Sequence, residues 1–235
     1  MTRAGTDAVR ALVAQASQVL GGEDHGDLIW GHASVRDPDG RGVWMKASGW
    51  GFEEITPERV ILVGWDGEVL DGEGRRHVEF PIHTEIMRAR PEVGCVVHTH
   101  ATHAVAFASL QQPLRPMSHE GTLFVPPDIA RFSKTGDLIL TRALGQAVAD
   151  SIGSRNAVLL VHHGIVTVGE DAQDGVMAAI FLERACRKQL LAMAAGELRT
   201  WSSDEEALAK RRHVYSAAQA WDYLLRRRRR PDTPA

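Results

Sequence analysis

Cysteine is scarce in this sequence: only Cys95 and Cys186 occur among 235 residues. Both lie in apolar stretches, so a scaffold held together by many disulfides is excluded, and we expect two core thiols in a reducing, cytoplasmic compartment. Long apolar runs are also missing. No window reaches the roughly 18 apolar residues that a membrane-spanning helix needs, and the N-terminal segment lacks the apolar stretch of a secretory signal. We therefore expect no membrane partner.

An excess of either charge is missing as well. The chain has 27 Lys and Arg against 30 Asp and Glu, for a net charge of -3, so nothing in its charge favours nucleic-acid binding. Five consecutive arginines, 226–230, are the exception. They could bind an anionic surface, or form a solvated terminus that complements the dipole of the preceding helix. We favour the second interpretation, and predict a single domain over 1–225 followed by a basic, disordered tail over 226–235.

The remaining composition is that of an ordinary globular protein, with 44% apolar and 24% charged residues. Hydrophobic periodicity predicts alternating helices and strands without repeats or linkers, which indicates an α/β domain around a central sheet. The first predicted helix covers about 8–20 and follows a cap at Thr6-Asp7. The other predicted helices cover about 81–90, 101–110, 141–152, 171–195 and 204–225. The predicted strands lie at 43–45, 60–63, 68–70, 96–98, 136–140 and 158–161.

Three histidines and one glutamate form the most informative pattern. His98 and His100 are separated by one residue at the end of an apolar strand, and strand residues two apart point to the same face, roughly 6–7 Å apart. That pair is a weak motif by itself. His163 follows a second apolar strand, and Glu79 precedes a predicted helix. Together these residues could bind one divalent metal ion.

The residue types fit a catalytic rather than a structural metal. Three neutral imidazoles leave Zn²⁺ doubly charged with an open coordination position. Such an ion can bind two oxygens of a hydroxy-acid or hydroxy-keto substrate and stabilise the enediolate or enolate that forms when a neighbouring carbon–carbon bond breaks. A carboxylate such as Glu79 could take the hydroxyl proton and return it to the enediolate.

Several motifs occur in an order that resembles the class II aldolase/adducin family, of which fuculose-phosphate aldolase is the archetype. They are Gly31-His32-Ala33-Ser34-Val35-Arg36, Lys46-Ala47-Ser48-Gly49, Glu79, the run from His98 to His103, and His163-Gly164. The similarity extends from about residue 6 to residue 200. It implies a three-layer α/β/α fold with a central, mainly antiparallel sheet, and a cyclic homotetramer with its sites at subunit interfaces.

The resemblance also implies roles for individual residues. His98, His100 and His163 would bind one divalent metal, with Zn²⁺ preferred and Mn, Co, Ni or Fe as alternatives, and Glu79 would be the catalytic acid/base. We expect substrate contacts from Gly31, His32, Ser48, Gly49, His77 and His119.

Departures from the family pattern bear on the substrate. Sugar-phosphate members hold the phosphate with an asparagine and a pair of serines, but this chain has His32 and His77-Val78 at those positions. The imidazoles, with Arg36 and Arg76 nearby, could instead pair with a carboxylate. This argues against a sugar phosphate.

The family aldolases also use tyrosines, whereas this chain has only Tyr215 and Tyr223, close to its C-terminus. His119 and Glu120 occupy the region of the missing mid-chain tyrosine, as a substrate-contact pair or as part of a loop ion pair. The roles of both tyrosines stay open. So do those of His103, which would support a ligand or pack against a strand, and of His162, which would contact substrate or a neighbouring subunit.

We therefore expect a metal-dependent carbon–carbon lyase acting on a small, unphosphorylated hydroxy-acid or hydroxy-keto substrate, by decarboxylation or by a retro-aldol reaction. A sugar-phosphate aldolase or epimerase of the same family is an alternative. From other classes, a non-heme iron oxygenase is a rival because histidine ligands also suit Fe²⁺. A non-catalytic, adducin-like interaction module is a weaker one.

Overall fold

A computed structural model describes residues 3–214 and 216–228, with one eight-stranded sheet at its centre. The strands are β1 (His32–Arg36), β2 (Gly42–Lys46), β3 (Val60–Gly64), β4 (Val69–Asp71), β5 (Cys95–Thr99), β6 (Ala130–Phe132), β7 (Ala157–Leu160) and β8 (Gly164–Gly169). Their order across the sheet is β4-β3-β2-β1-β5-β8-β7-β6. All neighbouring strands are antiparallel except β6 and β7, which are parallel.

Helices cover both faces of this sheet. They are α1 (Arg3–Gly21), α2 (Phe80–Ala89), α3 (Thr102–Ala108), α4 (Arg142–Ile152), α5 (Ala172–Ala195), α6 (Asp204–Val214) and α7 (Ala217–Arg228). Side chains of α1, α3, α5 and α7 share one hydrophobic core, and those of α2 and α4 share a second core on the opposite face. The predicted three-layer α/β/α arrangement around a mainly antiparallel sheet is therefore confirmed.

Side chains of the central strand β5 point alternately to the two faces of the sheet and so pack into both hydrophobic cores. Val97 packs into the core beneath α5, whereas its neighbour Val96 packs into the core beneath α2 and α4. Successive strand residues point to opposite faces, so His98 lies on the α2 side together with Val96. All five residues of the strand are buried. This alternation places a histidine on the face where α2 begins.

Local sequence signals account for several helix boundaries. The Asp171 side chain accepts a hydrogen bond from the Asp174 backbone N–H and caps α5, and Thr141 caps α4 in the same way. Among the described residues, no helix is both long and apolar enough to cross a bilayer. Cys95 and Cys186 are buried and free, as predicted, and burial raises the pKa of both thiols.

Some predicted elements are wrong. Residues 136–140 form no strand because the Ile139 N–H bonds a carboxylate, Glu79, rather than a neighbouring strand. The short strand of this region is β6 instead. The helix predicted over 204–225 is two helices, α6 and α7.

Two terminal boundaries also differ. Helix α1 already includes Arg3, so Thr6 and Asp7 lie within it rather than at its cap, and α7 continues through Arg228 into the expected tail. The rest of that tail, 229–235, and Tyr215 lie outside the described residues. The single-domain organisation stays a prediction.

Candidate metal and substrate site

Four candidate residues meet at one end of the sheet. β5 ends where β8 begins, because Thr99 pairs with Ile165. His98 lies on β5 and His100 directly after it, His163 lies in the turn between β7 and β8, and Glu79 precedes α2. One ligand atom from each of the four lies within 4.8 Å of all the others.

A glycine allows the β7–β8 turn to approach β5. A Cβ atom at Gly164 would lie 2.6 Å from the Thr99 carbonyl oxygen and 2.9 Å from Cδ2 of His100, so any side chain there would push the turn away. His162, one residue before His163, has φ of 63° and is exposed. The strained turn therefore aims His163, and not His162, at the cluster.

Hydrogen bonds orient two of the three imidazoles. His98 Nδ1 lies 2.9 Å from the Ile165 carbonyl oxygen, and His100 Nδ1 lies 2.9 Å from Oδ2 of Asp27. Each acceptor keeps the proton on Nδ1 and leaves the lone pair on Nε2, which is the form that binds a metal.

Unpaired ring nitrogens indicate that a cation belongs in this cluster. His98 Nε2 and both ring nitrogens of His163 are buried without a hydrogen-bond partner. Buried polar atoms in folded proteins are nearly always paired, and an unpaired one costs about 1–3 kcal/mol. A divalent ion would satisfy these lone pairs, so the residues fit a metal of the kind that imidazole and carboxylate ligands bind.

Glu79 supplies the negative charge of the cluster. Its carboxylate oxygens lie 3.7 Å from His98 Nε2 and 3.5 Å from His163 Nε2, and one of them accepts the Ile139 N–H at 2.7 Å. Burial by itself would raise the pKa of Glu79, but the neighbouring imidazoles of His163 and His98 and the hydrogen bond from the Ile139 N–H outweigh it and hold the pKa well below its ordinary value. The group is therefore an anion beside the site.

A cavity of about 310 Å³ opens beside this cluster. Its polar wall contains four of the six predicted substrate contacts, namely Gly31, His32, Ser48 and His77, and its apolar rim contains Trp30, Val78 and Leu138. Gly49 and His119 do not line it. His119 is exposed on a separate loop, and its neighbour Glu120 forms an ion pair with Lys188 at 2.7 Å.

His32 and His77 belong to the cavity wall, and His83 lies buried behind them. The rings of His32 and His77 are 4.4 Å apart, and His32 Nδ1 lies 2.6 Å from Nε2 of His83. Burial lowers the pKa of His32 well below its ordinary value, and burial also lowers the pKa of His77 and of His83 to about 3. These imidazoles are neutral at physiological pH.

Arg36 and Arg76, which could have assisted in pairing with a substrate carboxylate, bind backbone carbonyl oxygens instead. Arg36 donates to the carbonyl oxygens of Met87, Arg90 and Val93, and Arg76 donates to those of Gly67 and His77. Neither side chain lines the cavity. Both guanidinium groups are used to hold backbone segments together.

His103 does not join the metal cluster. Its Nδ1 lies 2.6 Å from Glu183 Oε1, and the same carboxylate accepts the backbone N–H groups of His103 and Ala104 at the start of α3. The pair therefore fixes α3 against α5.

Sequence reasoning missed Asp27, His83 and Lys46. Asp27 lies in a loop with no spacing relationship to the histidines, and only the tertiary structure brings it to His100. His83 was detectable, because it lies in the first turn of the predicted helix that follows Glu79. Lys46 is fully buried and donates to the carbonyl oxygens of Ile29 and Trp50.

Comparisons with known proteins agree with this geometry. The chain is 35% identical over 173 residues to "4-hydroxy-3-prenylphenylpyruvate oxygenase/4-hydroxy-3-prenylbenzoate synthase" of Streptomyces roseochromogenus subsp. oscitans, a match that covers 72% of this chain and 62% of the relative. It is 34% identical to "Decarboxylase NovR" of Streptomyces niveus, over 73% of this chain and 64% of the relative. The match thus spans less than two thirds of either relative.

Solved structures show the same architecture. An L-fuculose 1-phosphate aldolase from Glaciozyma antarctica PI12 superposes with a TM-score of 0.83 and 28% identity, covering 97% of this chain and 92% of the other. The family model described as "Class II Aldolase and Adducin N-terminal domain" matches residues 11–190. The chain therefore belongs to the class II aldolase/adducin family.

Proposed function

We propose that this protein is a metal-dependent carbon–carbon lyase that cleaves a small, unphosphorylated hydroxy-acid or hydroxy-keto substrate. The observation that carries the proposal is the convergence of His98, His100, His163 and Glu79 within 4.8 Å, with buried ring nitrogens that have no protein partner. Family membership adds support, since the relatives are named as decarboxylases, synthases and aldolases.

His98, His100 and His163 would hold the metal, with zinc as the first choice. When bound, it would supply a Lewis acid that polarises substrate oxygens and stabilises negative charge as the carbon–carbon bond breaks. Asp27 and the Ile165 carbonyl keep two of the imidazoles in the binding tautomer.

Glu79 would move the proton. Its pKa is held well below the ordinary value, so in a retro-aldol cleavage the ionised carboxylate would accept the substrate hydroxyl proton and return it to carbon. In a decarboxylation it would pass a proton taken from solvent to the carbon that CO₂ has left. The Ile139 N–H binds Oε1, which also lies 3.5 Å from His163 Nε2, and Oε2 lies 3.7 Å from His98 Nε2. Glu79 lines the cavity, so a substrate bound there would lie within reach of its carboxylate.

The cavity argues against a sugar phosphate. No lysine or arginine is among the described residues that line it, and imidazoles replace the amide and hydroxyl donors that the family uses for phosphate. Decarboxylation releases CO₂ and needs no tyrosine to exchange a proton with an aldehyde oxygen, which fits the absence of tyrosine from the described residues that line the cavity. Retro-aldol cleavage remains the second form of the same proposal.

Metal content and turnover of two variants test this proposal. Glu79→Gln is expected to keep the metal and lose about 10²–10⁴-fold in turnover, because it removes only the proton-transfer group. His100→Ala is expected to lose both. Elemental analysis gives the metal, and release of CO₂ against release of aldehyde, measured on dihydroxy-aromatic acids and hydroxy-keto acids, separates the two reactions. Normal turnover by Glu79→Gln would remove the proton-transfer role.

A non-heme iron oxygenase is the second candidate, because one relative is named as an oxygenase and histidine ligands suit Fe²⁺. Loss of turnover under strict anaerobiosis, with iron rather than zinc in the purified protein, would favour it. Unchanged anaerobic turnover would favour the lyase.

We further propose that the protein is a cytoplasmic homotetramer with its sites between subunits. Leu28, Ile29 and Trp30 are three consecutive apolar residues that are 74%, 44% and 53% exposed, and Trp30 lines the cavity. A second subunit would cover such a surface beside the site. Analytical ultracentrifugation tests the proposal, and a monomer at micromolar concentration would contradict it.

A further inference from the structure

The loop between α1 and β1, residues 22–31, holds the end of strand β5 from both faces of the sheet. His25 Nδ1 lies 2.9 Å from the Thr99 hydroxyl oxygen, and Asp27 Oδ2 lies 2.9 Å from Nδ1 of His100. Successive strand residues point to opposite faces, so the Thr99 side chain is on the face of α3 and α5, away from the metal cluster. Two side chains of one loop therefore bind two consecutive residues at the edge of the site.

The His25 ring is buried, and its bond to Thr99 does not depend on the tautomer. The side chain is only 1% exposed, and a hydroxyl group can either donate to Nδ1 or accept from it. His25 Nε2 is buried without a hydrogen-bond partner in the described part of the chain. An unpaired buried polar atom lowers stability, so apolar packing alone does not favour a histidine here. The contact that a histidine adds is the one with Thr99.

Asp27 is not fixed by its own packing. Its side chain is 39% exposed. The loop backbone near it is strained, because Asp24 and Leu28 have φ of 61° and 50°, in the left-handed region that a bulky residue rarely adopts. Leu28 is 74% exposed, so its side chain does not impose this conformation. Other contacts of the loop must hold the backbone in place.

Two buried anchors, one on each side of Asp27, supply those contacts. Two residues after it, the Ile29 carbonyl oxygen accepts a hydrogen bond from Lys46 Nζ at 3.1 Å. Two residues before it, His25 binds Thr99. The second anchor lies on the strand that carries His98, one of the proposed metal ligands, and thus fixes the loop relative to that strand.

We propose that His25 is a positioning residue of the metal site: through Thr99 it fixes the α1–β1 loop on β5 and so places the Asp27 carboxylate where it orients His100. The inference rests on the proposed function, in which His100 binds the metal. Without the bond between His25 and Thr99 the loop shifts and the contact between Asp27 and His100 weakens, while every proposed metal ligand is still present.

Zinc affinity, measured by competition against a chelator, tests this role in three variants. His25→Leu is expected to weaken zinc binding by about three- to tenfold, because the orientation of a metal-binding imidazole depends on its hydrogen-bond partner. Thr99→Val removes the same bond at nearly constant volume and should give the same loss. His25→Asn keeps a hydrogen-bonding group at the position of Nδ1 and should restore most of the affinity. Wild-type affinity in Thr99→Val would overturn the inference, including when His25→Leu does not fold.

Thr167→Val is the matched control for Thr99→Val. Thr167 is a buried threonine of the neighbouring strand β8, and its hydroxyl donates to the Gly175 carbonyl oxygen at 2.8 Å rather than to the α1–β1 loop. Urea unfolding should show a loss of stability in both variants, whereas zinc affinity should fall only in Thr99→Val. An equal fall in Thr167→Val would make the effect one of general destabilisation and would overturn the inference.

A double variant tests whether His25 acts through Asp27. In a protein that already has Asp27→Ala, adding His25→Leu should cause no further loss of zinc affinity, since the carboxylate that His25 positions is absent. Two losses that add would overturn the proposed role. A wild-type protein that binds no zinc would contradict the proposed function as well, whereas zinc binding that is independent of His25 and Thr99 would contradict this inference alone.

Discussion

The proposed metal ligands depend on partners that have no metal-site signature of their own. Asp27 holds His100 through a 2.9 Å hydrogen bond, although it is separated from it by 73 residues in the sequence. The Ile165 carbonyl does the same for His98. At the residue scale, the sequence therefore predicts which side chains would bind the metal ion, but it does not predict which groups orient those side chains.

Asp27→Asn is expected to weaken metal binding by about tenfold, because it removes the charge that supports the His100 tautomer. Competition against a chelator of known affinity measures the change. Asp24→Asn is the matched control, since it removes the same charge from the same loop without a contact to His100. Equal metal affinity of Asp27→Asn and wild type would show that Asp27 does not support the ligand.

Lys46 gives a prediction about pH. Burial lowers its pKa to about 8 in the folded protein, although Glu53 and Glu54 partly offset this, against an ordinary value of 10.5. Between these values the unfolded state binds the proton and the folded state does not, so stability rises with pH. The destabilisation of the folded protein by the buried Lys46 is fully present below about pH 8 and is lost above about pH 10.5.

The comparison with Lys46→Met isolates this effect. Relative to the variant, wild type should gain up to about 3 kcal/mol in free energy of unfolding between pH 8 and 10.5. Urea unfolding at several pH values in this window measures the difference. A difference that is independent of pH, or one that falls as pH rises, would mean that Lys46 stays protonated in the fold.

Elements were predictable wherever one periodic pattern dominated. Strand β5, helix α2 and helix α5 follow apolar patterns with clear boundaries, and the sequence predicts each of them to within a few residues. Residues 136–140 have a strand-like pattern, yet Ile139 donates to Glu79 instead of to another strand. A propensity cannot reveal that competition, because the acceptor lies 60 residues away.

The β7–β8 turn makes the clearest prediction at the element scale. Gly164→Ala places a Cβ atom 2.6 Å from the Thr99 carbonyl oxygen, so the turn must move away from β5. We expect a loss of about 1–3 kcal/mol in stability and weaker metal binding, because His163 moves with the turn. Urea unfolding and chelator competition measure the two effects.

Gly26→Ala is the matched control for this substitution. A Cβ atom at Gly26 meets nothing within 4 Å, so stability and metal affinity should be unchanged. If Gly164→Ala behaved like Gly26→Ala, the close approach of the turn to β5 would not determine the geometry of the site.

At the scale of the whole molecule, the site is a product of sheet topology. β1 begins beside the end of β5, with His32 paired to His98, and β8 begins on the other side of β5. Antiparallel pairing therefore brings the substrate wall and the metal cluster to one end of the sheet. The family resemblance anticipated this meeting, but residue periodicity alone gives neither strand order nor register.

Sheet topology also explains which of the predicted substrate contacts line the cavity, which the sequence alone does not show. Gly31, His32, Ser48 and His77 reach the cavity because their segments end at this edge of the sheet. His119 lies on a separate loop and is exposed, so within one chain it lies outside the cavity.

The most direct test of a shared metal is an anomalous-diffraction map of crystals of the protein, collected across the absorption edge of the metal found by elemental analysis. We predict one peak per subunit, about 2.1 Å from Nε2 of His98, His100 and His163 and next to the Glu79 carboxylate. No peak at these three nitrogens, or a peak bound elsewhere in the chain, would contradict the account.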